Sequence, residues 1–314
     1  MIVTLTANPA LDRAIQLDAP LQPGEVQAAV GEREDAGGKG INVARAVAAA
    51  GQPTIAVLPL ADDDPFDVAL RAAGVPARRV PVAGRARANL TITDPAGTTT
   101  KLNLPGAPLA ADEAAALVAA VVEASAGARW LALAGSLPPG VGDDFYVTVI
   151  RAVRAAHGAS APLVAVDTSG AALRAVVDGA EPDLIKPNDE ELAELAGGAL
   201  GEHDLPDAVL EIARTIVPVR ARAALVTLGA RGAILVTAGG AWSGSAPRIR
   251  VASTVGAGDS SLAGYLLAES EGADPQERLR RAIRYGAAAA SLAGTQAPRP
   301  TDVPTDDVPV AELI

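Results

Sequence analysis

The stretch Ser253-Thr-Val-Gly-Ala-Gly-Asp-Ser260 has the composition of a site for developing negative charge. Gly256 and Gly258 let the backbone approach a ligand closely. Successive amides at residues 256–258 (Ala257 between the two glycines), opening a helical stretch over 261–268, can bind an anion. Asp259 falls in the first helical turn, where a carboxylate ordinarily just favours the dipole. Beside an anion hole it can instead take the proton of a hydroxyl attacking a phosphate. A plain glycine-rich loop with an Asp near an N-cap has the same letters.

A second cluster is Ala36-Gly-Gly-Lys-Gly-Ile-Asn42, opening another helix. It fails as a P-loop, which needs Ser or Thr after the Lys and four residues between the glycines. A flexible Gly37-Gly38 pair, the cation of Lys39 and a helix start suit a polyhydroxylated ligand bearing phosphate; a tight turn with a solvated Lys would read alike. A third is Asp183-Leu-Ile-Lys-Pro-Asn-Asp-Glu-Glu191. Asn188 and Glu191 have capping-box spacing, and the same pair could stand around a water-coordinated Mg²⁺ near nucleotide phosphates, with Lys186 nearby. Asn8 and Asp12 follow the first strand, and Asp12 could bond sugar hydroxyls. Gly135-Ser-Leu-Pro-Pro-Gly140 and Gly229-Ala-Arg-Gly232 follow later strands as turns. Arg87 and Lys101 are solvated charges or, on a lid, a clamp for a substrate phosphate. His157 and His203 lie in polar loops and receive no role.

The elements that must position these residues alternate between short apolar runs and helical patterns. Strands are expected over 2–6, 54–58, 130–134, 163–167, 183–186, 224–228 and 233–237, and helices over 41–50, 112–125, 145–156 and 189–195. This is the pattern of an α/β chain with an open, mostly parallel sheet covered on both faces, which binds ligands at the carboxyl ends of its strands. Residues 12–35 and 86–104 break the rhythm with alternating stretches and turn signals at Pro23-Gly24 and Asp94-Pro-Ala-Gly97. They read as antiparallel strands of a small β lid inserted in a single domain over 1–314. The tail over 296–310, with four prolines, reads as extended and peripheral.

Composition narrows the function. With 314 residues, 49% of them hydrophobic, the chain can bury a sizeable core and is not disordered. A net charge of −11 argues against nucleic-acid and anionic-membrane partners. The absence of Cys excludes thiol chemistry and Cys-ligated metals, and no apolar run approaches a membrane span. The start lacks a targeting signal, so a cytoplasmic location is expected. Basic residues are almost all Arg; the only lysines are Lys39, Lys101 and Lys186. Attraction for anionic ligands must come from a local cationic cleft, because the global field opposes it.

Taken together, the ordered motifs Thr6-Ala-Asn-Pro-Ala-Leu-Asp12, Gly37-Gly-Lys-Gly-Ile-Asn42, Arg87-Ala-Asn89, Gly135-Ser-Leu-Pro-Pro-Gly140, Lys186-Pro-Asn-Asp-Glu-Glu191, Leu228-Gly-Ala-Arg-Gly232 and Val255-Gly-Ala-Gly-Asp259 resemble the ribokinase-like (PfkB-type) sugar kinases. The similarity is to their hexose-phosphate branch, that of 1-phosphofructokinases and tagatose-6-phosphate kinases. The resemblance implies an ATP- and Mg²⁺-dependent kinase acting on a ketohexose phosphate, with fructose 1-phosphate to fructose 1,6-bisphosphate first. Tagatose 6-phosphate and fructose 6-phosphate follow, then a free sugar or nucleoside, or a catalytically silent sugar-phosphate sensor. It implies Asp259 as base, with Gly256, Ala257 and Gly258 as anion hole. Asp12, Gly37, Gly38 and Asn42 would hold the sugar, with Lys39, Arg87, Lys101 and Ser136 around its phosphate. Lys186, Thr227, Gly229 and Gly232 fall on the nucleotide side, and Asn188 and Glu191 would organise Mg²⁺ through water. It also implies a homodimer through the β lid. Two departures stand out: Leu60-Ala-Asp-Asp-Asp-Pro65 is acidic where the family is glycine-rich, and Ala86 replaces the usual Thr before the lid Arg.

Overall fold

A computed structural model describes residues 1–198 and 205–313; His203 lies outside them. The chain runs through β1 (Ile2–Leu5), β2 (Ala10–Gln16), β3 (Gly31–Gly37), α1 (Lys39–Ala49), β4 (Thr54–Leu60), α2 (Phe66–Ala72) and β5 (Ala77–Pro81). It continues through β6 (Arg87–Thr93), β7 (Thr99–Asn103), α3 (Ala111–Ala124), β8 (Trp130–Ala134), α4 (Phe145–His157), β9 (Leu163–Asp167), α5 (Gly170–Gly179) and β10 (Leu184–Ile185). It ends with α6 (Asp189–Ala196), α7 (Leu205–Ile216), β11 (Ala223–Thr227), β12 (Ala233–Thr237), β13 (Gly240–Gly244), α8 (Ala257–Ser270), α9 (Pro275–Ala290) and β14 (Val310–Leu313).

Ten strands form one sheet in the order β14-β13-β12-β11-β10-β9-β8-β1-β4-β5. From β5 to β11 every pairing is parallel; β12, β13 and β14 extend it antiparallel. Alternate residues pack to opposite faces. Val3, Leu5, Leu131, Leu133, Val164 and Val166 share one core with α3 and α4. Ile2, Trp130, Ala132 and Ala165 share another with α1, α8 and α9. Burial on both faces is why the strands read as unbroken apolar runs. It also brings β1, β8, β9, β10 and β11 to one carboxyl edge, where the polar residues that follow them converge.

The small sheet has the order β3-β2-β6-β7. Its two outer pairings are antiparallel, and the central one, β2 with β6, is parallel because both strands leave the body in the same direction. The tail departs from expectation. Val308 is fully buried, Val310–Leu313 pairs with β13, and Arg280 Nε and Arg284 Nη2 donate to the carbonyls of Val308 and Asp306. Valines between the prolines seek the core, so the tail is strapped to the sheet edge instead of lying free.

Candidate active site

The site begins where β3 hands over to α1. A Cβ on Gly37 would stand 2.0 Å from Asp12 Oδ2, so only glycine lets the two strands pass here. Gly38, at φ 119°, caps α1, and a side chain there would collide with Thr6. This turn sets Lys39 and Asn42 on the first turn of α1. Across the cleft, Gly256 at φ 78° starts α8 and puts Asp259 in its first turn. Helix α8 is buried over its whole circumference from Asp259 to Glu269. The Ala257 amide donates to the Thr254 carbonyl at a long 3.4 Å. The Gly258 amide, in the first turn, has no intrahelical partner and is free for an anion.

The two helices meet through their polar first turns. Asn42 Nδ2 donates to Asp259 Oδ2 at 2.8 Å in buried surroundings. Asp167, fully buried at the end of β9, binds Lys39 Nζ at 2.7 Å through Oδ1 and Lys186 Nζ at 3.1 Å through Oδ2. Lys186 Nζ lies 3.2 Å from where a Cβ on Gly258 would sit, so it abuts the glycine loop. Burial pushes Asp259 up to about 6, helped by the charge of Asp167 and opposed by Lys39, Asn42 and Lys186. Burial would also raise Asp167, but Lys186 and Lys39 override it and hold it below the usual carboxylate value. Lys39 is raised despite burial, by Asp167 and then Asp259. Two lysines against two carboxylates leave this centre electrically balanced. The expected cationic cleft is therefore not here, and the strands of the small sheet are balanced as well, with Arg13, Arg33, Arg87 and Lys101 against Asp12, Glu32, Glu34 and Asp35.

On that sheet, register puts Ala10 beside Arg87, Asp12 beside Asn89 and Ala14 beside Thr91, with Asn103 and Lys101 one strand further out beside Asn89 and Thr91. Alternation sets all of these on one face. Asn89 Nδ2 donates to Asp12 Oδ1 at 2.8 Å. Burial raises the Asp12 carboxyl against the opposing pull of Asn89 and Arg87. Arg87 donates to the Leu104 carbonyl, while its Nε is buried and without a hydrogen-bond partner. Lys101 is not drawn in with the others: it stands exposed on the edge strand β7. Ser136 receives a hydrogen bond from Asn8 Nδ2 at 3.3 Å, and the same nitrogen reaches the Pro105 carbonyl at 3.1 Å.

Beyond Lys186, Asn188 Oδ1 accepts from the Glu191 amide at 2.7 Å and Glu191 Oε2 accepts from the Asn188 amide at 2.9 Å. The capping box is thus formed, and it starts α6 beside the cleft. Each side chain spends one oxygen in it, and the Glu191 charge is still felt at Lys39. Thr227 ends β11 and bridges to Asn188. Gly229 opens the following turn at φ 57°. At Gly232 a Cβ would meet the Gly244 carbonyl at 1.9 Å, so that glycine answers to the β12–β13 packing.

Asp167 is the residue that sequence reasoning missed as part of the site. Its signal was a carboxylate closing the apolar run Leu163-Val-Ala-Val-Asp167 at the carboxyl edge. Asn89 was visible only as part of a motif, and its grip on Asp12 needed the parallel β2–β6 register.

A family model described as pfkB family carbohydrate kinase matches residues 6–302. A 1-phosphofructokinase of Xanthomonas campestris pv. campestris is 35% identical over 292 residues, covering 89% of this chain and 87% of its own. The ATP-dependent 6-phosphofructokinase isozyme 2 of Escherichia coli is 33% identical, with 94% of each chain covered. A crystal structure of the Escherichia coli phosphofructokinase-2 in complex with potassium superposes with a TM-score of 0.88 at 33% identity, over 96% of each chain.

Proposed function

The chain belongs to the pfkB family of carbohydrate kinases, and from that premise we propose that it transfers the γ-phosphoryl group of ATP to the free primary hydroxyl of a ketohexose phosphate. Fructose 1-phosphate, giving fructose 1,6-bisphosphate, is the first substrate; fructose 6-phosphate is the second reading, because relatives of both kinds resemble the chain to similar degrees.

The observation that carries the proposal is the Asn42–Asp259 hydrogen bond at the mouth of the glycine loop. Asn42 occupies Oδ2 and leaves Oδ1 to receive the proton of the attacking hydroxyl. As the O–P bond forms and the bond to the β-phosphate breaks, that proton passes to Asp259. A carboxyl at about 6 is ionised at neutral pH yet basic enough to accept it. The amides of residues 256–258 face the charge on the transferred group, and Lys186 stands against the same loop. Asp12, held by Asn89, orients sugar hydroxyls with Gly37 and Gly38 giving close approach. Arg87, Lys101, Lys39 and Ser136 take the substrate's own phosphate.

No group of three or more acidic or histidine side chains able to hold a metal occurs among the described residues. The donor set fits Mg²⁺ all the same, since that ion keeps several waters and binds through one or two carboxylates plus substrate phosphates. Glu191, and Asn188 through water, would hold it at the start of α6. There the ion would neutralise charge on the nucleotide phosphates. Thr227, Gly229 and Gly232 line the nucleotide side, and an ATP-fed reaction belongs in the cytoplasm.

We propose further that two copies pair through the lid. Its face away from Asp12 carries Ile15, Leu90, Ile92 and Leu102 in adjoining register positions. None of them is buried, and Leu102 is 52% exposed.

A panel of fructose 1-phosphate, fructose 6-phosphate, tagatose 6-phosphate and free fructose with ATP tests the substrate. The highest kcat/KM is expected on fructose 1-phosphate. Equal values on free fructose and its phosphates would defeat the reading.

A further inference from the structure

The acidic turn Ala61-Asp-Asp-Asp-Pro65 is not idle. It follows β4 and carries Asp62, Asp63 and Asp64, of which only Asp64 is buried, at 6% exposure. Asp64 Oδ1 accepts from the Phe66 amide at 2.9 Å, starting α2, and Oδ2 accepts from the Ala86 amide at 2.6 Å. Ala86 immediately precedes Arg87, the first residue of β6. Alongside, Asp63 Oδ2 pairs with Arg85 Nη2 at 2.6 Å on the surface. A cleft lined by Asn8, Pro59, Arg85, Ala86, Arg87 and Pro138 opens directly beside this joint.

We propose that Asp64 is a positioning residue for sugar-phosphate binding: its buried carboxylate bolts the root of the lid strand β6 to the body and so fixes where Arg87 and Asn89 stand. The path is short. Asp64 holds the backbone at residue 86, Arg87 is next along it, and Asn89 two residues later holds Asp12. The carboxylate accepts one amide on each of its two oxygens, which a carboxamide in the same pose cannot do, because one of its two ends is a donor. The exposed Asp63–Arg85 pair adds little beside it.

The proposal rests on the sugar-phosphate kinase reading, and Asp64→Asn tests the two apart. Asn is as good as Asp at starting a helix, so the α2 contact survives while an NH₂ is turned against the Ala86 amide. In steady state with ATP, the variant should show the KM for the preferred hexose phosphate raised about tenfold, with the KM for ATP unchanged. Amide hydrogen exchange, which needs no substrate, should quicken over residues 84–93 and not in β1, β8 or β9. Asp64→Ala, which also frees the Phe66 amide, should reproduce this and in addition quicken exchange in α2. If the wild type prefers a free sugar, the kinase reading falls and the exchange result alone decides the anchor. Wild-type protection over 84–93 in Asp64→Asn, or both KM values rising together, would overturn it.

Discussion

Asn42 Nδ2 stands 2.8 Å from Asp259 Oδ2, so the first turns of α1 and α8 are joined by the one carboxylate best placed to act as base. Burial raises that carboxyl to about 6, and it is held ionised at neutral pH against a desolvation penalty. Its chemistry and its cost to the fold have one origin.

Asp259→Asn should therefore lower kcat by roughly 10²–10⁴-fold, the usual worth of a general base. It should also stabilise the protein. A carboxyl whose folded pKa lies above its unfolded value favours the fold only while protonated. Stability falls as pH rises from 3.8 through about 6 and stays low above it. The variant should thus melt above the wild type at pH 8, by on the order of 3 kcal/mol, and lose that lead below about pH 4. Near-normal turnover, or a variant less stable at pH 8, would refute the assignment.

The acid limb of kcat/KM should lie near pH 6 in the wild type, activity rising as Asp259 ionises. Asp167 raises Asp259, whereas Lys39, Asn42 and Lys186 lower it. Asp167→Asn removes the raising charge and releases both ammonium groups from their partner, so the limb should move to lower pH. A pH profile of kcat/KM reads this directly, and a limb that stays put or moves up speaks against the coupling.

Lysine and arginine should not be interchangeable at residue 186. Its side chain is 5% exposed, and its ammonium lies against both Asp167 and the glycine loop. A planar guanidinium there must push the first turn of α8, and displacement of about 1 Å at a reacting centre can cost 10²-fold. Lys39 is 36% exposed and has room at the cleft mouth. Lys186→Arg should therefore lower kcat and melting temperature well beyond Lys39→Arg; equal kinetics for Lys186→Arg and wild type would show that charge alone is required.

Much of this was legible before any coordinates. Strands buried on both faces write continuous apolar runs, so β1, β4, β8, β9, β11 and β12 were marked by composition alone, and helices α1, α3, α4 and α6 were bounded to within two residues. Helices α2, α5, α7 and α9 were not among the expected spans although their signals are local, as the Asp274 cap and Pro275 of α9 show; β13 and β14 escaped because they depend on partners distant in sequence. β13 is Gly240-Ala-Trp-Ser-Gly244, too glycine-rich to announce itself, and forms because β12 and β14 flank it. β14 closes a proline-studded tail that only the buried Val308 betrays. Asp167 looked like a strand end until two lysines from elsewhere in the chain met on it. The Asn188–Glu191 spacing served both readings at once, since the capping box is made and still leaves the pair beside the cleft.

The lid's outer face offers the last prediction. Ile15 sits beside Ile92 and Leu90 beside Leu102, so four apolar side chains adjoin on a sheet of only four strands. Closer to the body the same face is covered: Leu11 and Ala36 pack into the core with Ile41 and Phe66. An apolar patch that continues past its cover marks an interaction surface, and a second lid presenting the same face would satisfy a two-fold pairing. Light scattering should give the wild type twice the monomer mass, and Ile92→Glu, placing a charge at the centre of the patch, should reduce it to the monomer. The Asp12 face is untouched by that change, so loss of activity beyond a rise in sugar-phosphate KM is not expected. A monomeric wild type, or an Ile92→Glu protein that remains dimeric, would place the contact elsewhere.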